Sequence, residues 1–206
     1  IQGYILPARD FVERGQRALL DRVEPTFSRS DAAAATPDAI IGSTLGSASK
    51  HPDYAAAKAG DIEAAVRVAQ SLVTPELVAQ VKAAIGNARP RVVPVVAEEA
   101  AGRNKIPLAA AEVLASRLGL EVETGIVQAN RAHRTGLDGL DRIFAPVDFA
   151  GTTTAGQYLL VDDTLTQGGT FAALASHVRE GGGEVVGVVA LTGKQYSAKI
   201  QPSPET

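Results

Sequence analysis

Two neighbouring acids, Asp162 and Asp163, directly follow the apolar run at residues 158–161. The run predicts a buried strand, and parallel sheets bind ligands at the carboxyl ends of their strands. Adjacent carboxylates at such a position can each accept a hydrogen bond from one hydroxyl of a vicinal diol. They can also hold Mg²⁺, directly or through water. The residue types therefore predict a site for a diol, for a metal ion, or for both.

A stretch of small and hydroxyl-bearing residues follows the acids without a gap. It precedes a predicted helix, and its side chains leave room for backbone N–H groups to turn toward a ligand. Because the N-terminus of a helix favours an anion, the stretch predicts a phosphate cradle. The cradle would consist of Thr166, Gln167, Gly168, Gly169 and Thr170. A diol site beside a phosphate cradle is spaced to hold ribose 5-phosphate.

The run VDDTLTQGGT at residues 161–170 resembles the binding motif for phosphoribosyl pyrophosphate (PRPP) of the type I phosphoribosyltransferases. That motif is a hydrophobic strand, two acids, two mostly apolar residues and a Thr/Gly phosphate loop. The resemblance implies that Asp162 and Asp163 bind the ribose hydroxyls, take part in catalysis and hold Mg²⁺ indirectly. The competing phosphate motifs GxxxxGK[ST], GxGxxG and DxDxT do not occur in the sequence.

The resemblance also implies two loops around the donor. A pyrophosphate loop is expected at residues 98–105, where Ala101, Gly102, Arg103 and Lys105 would meet the diphosphate. The pair Glu98-Glu99 departs from the commonest versions of this loop, so its exact roles stay open. A closing loop is expected at residues 129–142, where Arg131 and Arg134 would act in catalysis by neutralising the leaving pyrophosphate. The alternative for both segments is an ordinary charged surface loop.

The acceptor is expected to meet a hood formed by the N-terminal segment. The candidates there are Tyr54, which could stack on a base, and His51 and Asp53, which could bond to its edge. The alternative is a turn that leads into a helix and packs on the core. Residues 192–197, after the last predicted strand, could also border the acceptor.

The elements that position these residues follow from hydrophobic patterning. Residues 1–88 read as mainly helical, with an amphipathic helix at 9–23, a loop or short helix at 26–50, and helices after Asp61 and at Pro75. From Pro90 onward, apolar strands alternate with helices. The strands are expected at 91–97, 121–128, 143–149, 158–163 and 184–191, and the helices at 107–118 and 170–180.

This alternation predicts an α/β fold with a doubly wound parallel sheet. By the resemblance, it would be a phosphoribosyltransferase-like core with an N-terminal helical segment. We expect a candidate hood at 1–88, a core at 89–200 and a polar tail at 201–206.

The amino-acid composition excludes several kinds of site and of protein. The 206 residues include no cysteine and three histidines, which excludes disulfides and thiolate sites and argues against zinc. No apolar run reaches the roughly 18 residues of a membrane span. The formal net charge of −3 gives no indication of a nucleic-acid-binding surface. We therefore expect a cytoplasmic protein without a membrane partner. The chain contains no methionine, so membership of a longer protein stays open, as does a homodimer.

The function implied is transfer of the 5-phosphoribosyl unit from PRPP to a small-molecule nitrogen acceptor, a nucleobase or similar amine, with Mg²⁺ as cofactor and release of pyrophosphate. Two alternatives stay open. One is a non-catalytic module on the same fold that senses PRPP or a nucleotide. The other is a hydrolase of a ribose phosphate.

Overall fold

The computed structural model describes residues 36–96, 104–129 and 147–200. Six strands lie in these ranges: β1 (Ala39–Thr44), β2 (Arg91–Pro94), β3 (Val127–Gln128), β4 (Phe149–Ala150), β5 (Gly156–Leu165) and β6 (Gly183–Gly193). The helices are α1 (Tyr54–Lys58), α2 (Ile62–Leu72), α3 (Pro75–Ile85), α4 (Ile106–Leu118) and α5 (Gly169–Glu180). Short 3₁₀ turns cover Ala48–Lys50 and Gln195–Ser197. The predicted helix at 9–23 and the polar tail lie outside the described residues.

Within the described residues, the main sheet has four parallel strands in the order β1-β6-β5-β2. A single parallel bridge from Val92 to Val122 extends it beyond β2, and β3 pairs with β4 in a separate antiparallel ribbon. The expected parallel sheet is therefore confirmed. The predicted strand at 121–128 is wrong in extent, because only Val122 and β3 are paired there.

Helices cover both faces of this sheet. Leu159 and Val161 of β5 pack with buried residues of α2, α3 and α4 on one face. Tyr158 and Leu160, which alternate with them, pack with buried residues of α5 on the other face. These three layers are the architecture that parallel sheets need, because both faces of each strand are apolar.

The helix boundaries follow the capping signals in the sequence. The Asp61 carboxylate accepts a hydrogen bond from the Ala64 N–H (2.9 Å), and the Thr74 hydroxyl accepts one from the Leu77 N–H (3.2 Å). Ile62, the first residue of α2, is 62% exposed and does not face the core. The residues that α2 buries in the core are Ala64, Ala65, Val68 and Ala69.

Residues 39–44 differ from the prediction of a loop or short helix at 26–50. They form β1, which pairs with β6 through Ile40 and Val189 and so belongs to the main sheet. The segment is short, and its strand conformation depends on a partner that lies far along the chain. The domain boundary proposed at residues 88 and 89 stays a prediction, but the segment before it contributes a strand to the core.

Candidate functional site

The two acids lie on a part of β5 that β2 does not cover. Pairing between β2 and β5 ends where Pro94 meets Val161, and the Val95 N–H donates to the Val161 carbonyl (2.8 Å). Beyond that point β6 is the one strand of the described residues that pairs with β5, through Asp162, Thr164 and Leu165. The acids are therefore inside the strand rather than after its end, and no strand of the described residues pairs with the β2 side of β5 beside them.

This side of β5 is also where the direction of winding reverses. From β2 the chain passes through α4 on one face to the bridge at Val122, and from β5 it passes through α5 on the other face to β6. The crevice between two strands whose connections leave in opposite directions is the usual ligand site of open α/β sheets. The fold thus places Asp162 and Asp163 at the switch point of the sheet.

Asp163 is buried and ion-paired. Its Oδ2 accepts hydrogen bonds from Lys58 Nζ (2.7 Å) and Asn104 Nδ2 (2.9 Å), while its side chain is only 8% exposed. Burial alone would lower the pKa of Lys58, but the hydrogen bond to Asp163 and the attraction of its charge outweigh this, so the pKa is raised. The Lys58 amine is therefore charged at neutral pH.

Asp162 lies in a different electrostatic environment. Its Oδ1 accepts a hydrogen bond from the Asp163 N–H (2.7 Å). Loss of surrounding water, followed by repulsion from the Asp163 charge, holds the pKa of Asp162 well above its ordinary value. The two acids therefore differ. The charge of Asp163 is compensated by Lys58, whereas Asp162 is stabilised when it takes up a proton or binds a hydroxyl group or a cation.

The predicted phosphate cradle forms the turn from β5 into α5. Thr166 and Gln167 are exposed, whereas Gly168 is buried. Gly168 is the N-cap of α5 with φ +74°, a conformation that favours glycine, and it has no side chain to cap the first turn. Because the N-cap leaves the first N–H groups of the helix uncapped, the turn can receive an anion there.

A hydroxyl chain braces the acidic strand against β6. The Thr192 hydroxyl donates to the carbonyl oxygen of Asp163 (3.2 Å) and lies 3.2 Å from the Thr164 hydroxyl. Thr192 is 1% exposed, so this contact is made in the core rather than in solvent. The backbone of the site is thereby fixed on the β6 side of β5.

The three acceptor candidates sit at the start of α1. Asp53 is held by Arg67 through two contacts, from Nε (2.8 Å) and Nη2 (3.1 Å), and its pKa is lowered chiefly by this hydrogen bonding. His51 Nδ1 accepts from the Asp53 N–H (3.2 Å). Tyr54 packs partly against the core, and the Lys58 amine lies 5.8 Å from its ring centroid. Tyr54 is thus linked through Lys58 to Asp163, while Asp53 is already engaged by Arg67.

Several predicted site residues lie outside the described ranges: Ala101, Gly102, Arg103, Arg131 and Arg134. Lys105 is described, and it is the N-cap residue of α4. Its N–H donates to the Ala57 carbonyl (3.3 Å), which ties the end of the predicted pyrophosphate loop to α1.

Sequence reasoning missed Lys58 and gave Asn104 no role. Lys58 is 105 residues from Asp163 in sequence and Asn104 is 59 residues from it, so no local sequence pattern predicts either contact. The nearest available signal was the spacing of Tyr54 and Lys58, which places both on one side of a helix.

Comparison with known proteins gives relatives in sequence. Protein TraN of Escherichia coli is 44% identical over 170 residues, which are 82% of this chain and 38% of TraN. An uncharacterized protein of Haemophilus influenzae is 41% identical over 161 residues, 78% of this chain and 36% of that protein. The chain therefore spans little more than a third of the curated relatives it matches. No family model matches it.

Solved structures with partial similarity include phosphoribosyltransferases. Adenine phosphoribosyltransferase from Rhodothermus marinus superimposes with a TM-score of 0.41 and 20% identity, over 64% of this chain and 77% of that one. UMP synthase of Leishmania donovani gives a TM-score of 0.39 and 18% identity, over 68% and 26% of the two chains. A TM-score of this size assigns no function, so the assignment must come from the residues of the chain itself.

Two further findings concern the described residues. None of their helices has both the length and the apolar character of a membrane span. They also contain no cluster of three or more His, Asp and Glu side chains that could hold a metal ion.

Proposed function

We propose that this chain is a phosphoribosyltransferase that moves the 5-phosphoribosyl unit of PRPP onto a nitrogen acceptor and releases pyrophosphate. One observation carries the proposal. Two unequal acids lie on β5 beyond the point where β2 pairs with it, at the switch point of the sheet, and the same chain segment runs directly into the Gly168-capped start of α5. The likeness of residues 161–170 to the PRPP motif supports the same assignment.

The donor would lie across the turn from β5 to α5. Its 5-phosphate would accept hydrogen bonds from the first N–H groups of α5 and from the hydroxyls of Thr166 and Thr170, where the helix dipole favours an anion. Its ribose hydroxyls would donate to Asp162 and Asp163. A hydroxyl that donates to Asp162 offsets the loss of water that keeps the pKa of this carboxyl high.

The reaction breaks the bond between C1′ and the pyrophosphate oxygen and forms a bond from C1′ to the acceptor nitrogen. Positive charge grows on C1′ as pyrophosphate leaves, and the nitrogen attacks from the opposite face with inversion. The nitrogen then loses its proton to solvent water. The work of the protein is to orient the donor and to place negative charge beside the ribose ring, so no residue becomes covalently modified.

The described acids fit an indirect role toward Mg²⁺. Asp162 carries an uncompensated carboxylate, but Asp163 is engaged by Lys58, and the described residues contain no larger acidic cluster. Such a donor set suits an ion that keeps most of its waters and takes further oxygens from substrate phosphates. Bound in this way, Mg²⁺ would neutralise charge on the pyrophosphate, and Asp162 and Asp163 would hold it through water.

The acceptor would enter between α1 and the end of β6. Tyr54 begins α1, and Tyr196 follows β6 with 78% of its surface exposed and the Lys194 amine 5.5 Å from its ring centroid. Aromatic faces of this kind suit a flat base, so we propose a nucleobase or similar amine.

The experiment is a pyrophosphate-release assay with Mg-PRPP and a panel of purines, pyrimidines and simple amines. Release that depends on one acceptor class supports the transferase and names that class. Release without any acceptor would indicate a hydrolase instead.

A second candidate is a module that binds PRPP or a nucleotide without turnover. The observation that favours it is the Lys58–Asp163 ion pair, because an acid already compensated by the protein contributes less charge to a reacting centre. Tight PRPP binding in calorimetry together with no pyrophosphate release for any member of the panel would support this candidate.

A further inference from the structure

Three separate segments of the chain meet at one carboxylate oxygen. Lys58 comes from α1, Asn104 from the residues just before α4, and both donate to Oδ2 of Asp163 on β5. Lys58 and Asn104 both use Oδ2, so these two contacts do not take up Oδ1. The carboxylate is therefore fixed through one oxygen, and the neighbouring Asp162 side chain shares a hydrogen bond with it.

The same junction joins α1 to the start of α4 by backbone contact. The Lys105 N–H donates to the Ala57 carbonyl (3.3 Å), next to Lys58, and the Asn104 side-chain carbonyl accepts from the Ile106 N–H (3.2 Å). Asn104 is thus held in place at the head of α4 while its amide reaches Asp163. The position of α1 and the orientation of the Asp163 carboxylate depend on each other.

Lys58 is suited to hold a carboxylate rather than to move freely. Its Nζ lies 2.7 Å from Asp163 Oδ2, and 36% of its side chain is exposed. The amine also lies over the Tyr54 ring, 5.8 Å from its centroid. A charged donor at 2.7 Å from a carboxylate oxygen orients that carboxylate strongly.

We propose that Lys58 is a positioning residue for the donor substrate: with Asn104 it holds Oδ2 of Asp163 so that Oδ1 accepts a ribose hydroxyl. This inference rests on the proposed function, since it specifies how the acid that binds the ribose is oriented. Lys58 itself touches neither the ribose nor the pyrophosphate. It also makes donor affinity depend on α1, the helix that carries Tyr54 on the acceptor side.

The test measures the Kd of Mg-PRPP by calorimetry for the 206-residue chain and its variants. Lys58→Met removes the charge and keeps most of the stem, and Lys58→Arg restores a charged donor. Lys82→Met is the matched control, because Lys82 is exposed on α3. We expect Lys58→Met to raise the Kd about tenfold, because it removes a charge-assisted hydrogen bond that orients the site. Lys58→Arg should recover most of the loss, and Lys82→Met should bind like the wild type.

Two further measurements separate positioning from direct contact. In an Asp163→Asn background, Lys58→Met should change the Kd less than about twofold, because residues that act through one another are not additive. Ribose 5-phosphate, which lacks the pyrophosphate, should show the same loss in Lys58→Met as PRPP does. A full effect in the Asp163→Asn background, or an effect confined to PRPP, would mean that Lys58 binds the pyrophosphate itself, and would overturn the inference.

The failure of this inference is distinguishable from failure of the proposed function. If the wild type binds Mg-PRPP and Lys58→Met binds it equally well, positioning by Lys58 is refuted while the donor site stands. If the wild type binds no PRPP, the proposed function and the inference fall together. Circular dichroism of each variant shows whether it is folded. If Lys58→Met is misfolded, Lys58→Arg decides: the inference requires its Kd to stay near the wild-type value, and a clearly higher Kd refutes it.

Discussion

Replacement of Gly168 by alanine tests the phosphate cradle at its most constrained point. Gly168 has φ +74°, which an alanine adopts at a cost of about 1–2 kcal/mol. The added methyl group would meet two Ile200 carbons at 3.7 Å and a Leu165 carbon at 3.8 Å, which are ordinary contacts. The cost therefore lies in the backbone alone. Alanine also lowers the conformational entropy of the unfolded chain, which offsets about 0.4–1 kcal/mol of this cost, so the net loss of stability is about 1 kcal/mol.

A matched glycine separates this loss of stability from loss of binding. Gly182 has φ +82°, with nothing within 4 Å of an added methyl group, and it lies after the C-terminal end of α5 rather than at the cradle. Gly168→Ala and Gly182→Ala should each lower the melting temperature by about 2–4 °C, as expected for about 1 kcal/mol in a domain of this size. Only Gly168→Ala should weaken Mg-PRPP binding in calorimetry, by about tenfold, because it re-aims the first N–H groups of α5. Equal PRPP affinity in Gly168→Ala and the wild type, or equal losses in both variants, would refute the cradle.

Two further predictions concern side chains of β5. Asp162→Asn should raise the melting temperature at pH 7. Because the pKa of Asp162 is higher in the folded state, ionisation of this acid destabilises the fold as the pH rises above the unfolded pKa of about 3.8, so the gain in melting temperature should fade near pH 3. A lower melting temperature of the variant at pH 7 would contradict the assigned environment. Tyr158→Phe should lower the free energy of unfolding in urea by about 1–3 kcal/mol, because the buried hydroxyl accepts a hydrogen bond from Arg91 Nη2 (2.6 Å) and donates one to the Thr154 carbonyl (2.8 Å). The same substitution should leave PRPP affinity unchanged, since Tyr158 lies toward the other end of β5 from the acids. Weaker PRPP binding in Tyr158→Phe would show that the two ends of β5 are not independent.

Local signals were enough to predict most of the core. Asp61 and Thr74 cap helices as their residue types suggest, and the long apolar runs became β5 and β6. Such features are decided within a few residues, either by a cap or by burial on both faces of a strand. The turn at Gly168 belongs to the same class, since the positive φ at a helix start calls for glycine.

Features decided by distant partners could not be predicted. β1 is a strand because it pairs with β6, although its own sequence suggested a loop or short helix. Val122 makes one bridge because only a short segment reaches the edge of β2. The site followed the same rule: the motif at 161–170 identified Asp163, but only the folded chain brings Lys58 and Asn104 to its carboxylate.

The most direct test of the central claim is calorimetry of Mg-PRPP with the wild type and Asp163→Asn. The substitution keeps the size of the side chain and removes the charge that Lys58 and a ribose hydroxyl both use. The proposed donor site predicts saturable binding by the wild type and a Kd at least about tenfold higher for the folded variant. Unchanged affinity in Asp163→Asn, or no binding by the wild type, would contradict the assignment of this edge of β5 as the PRPP site.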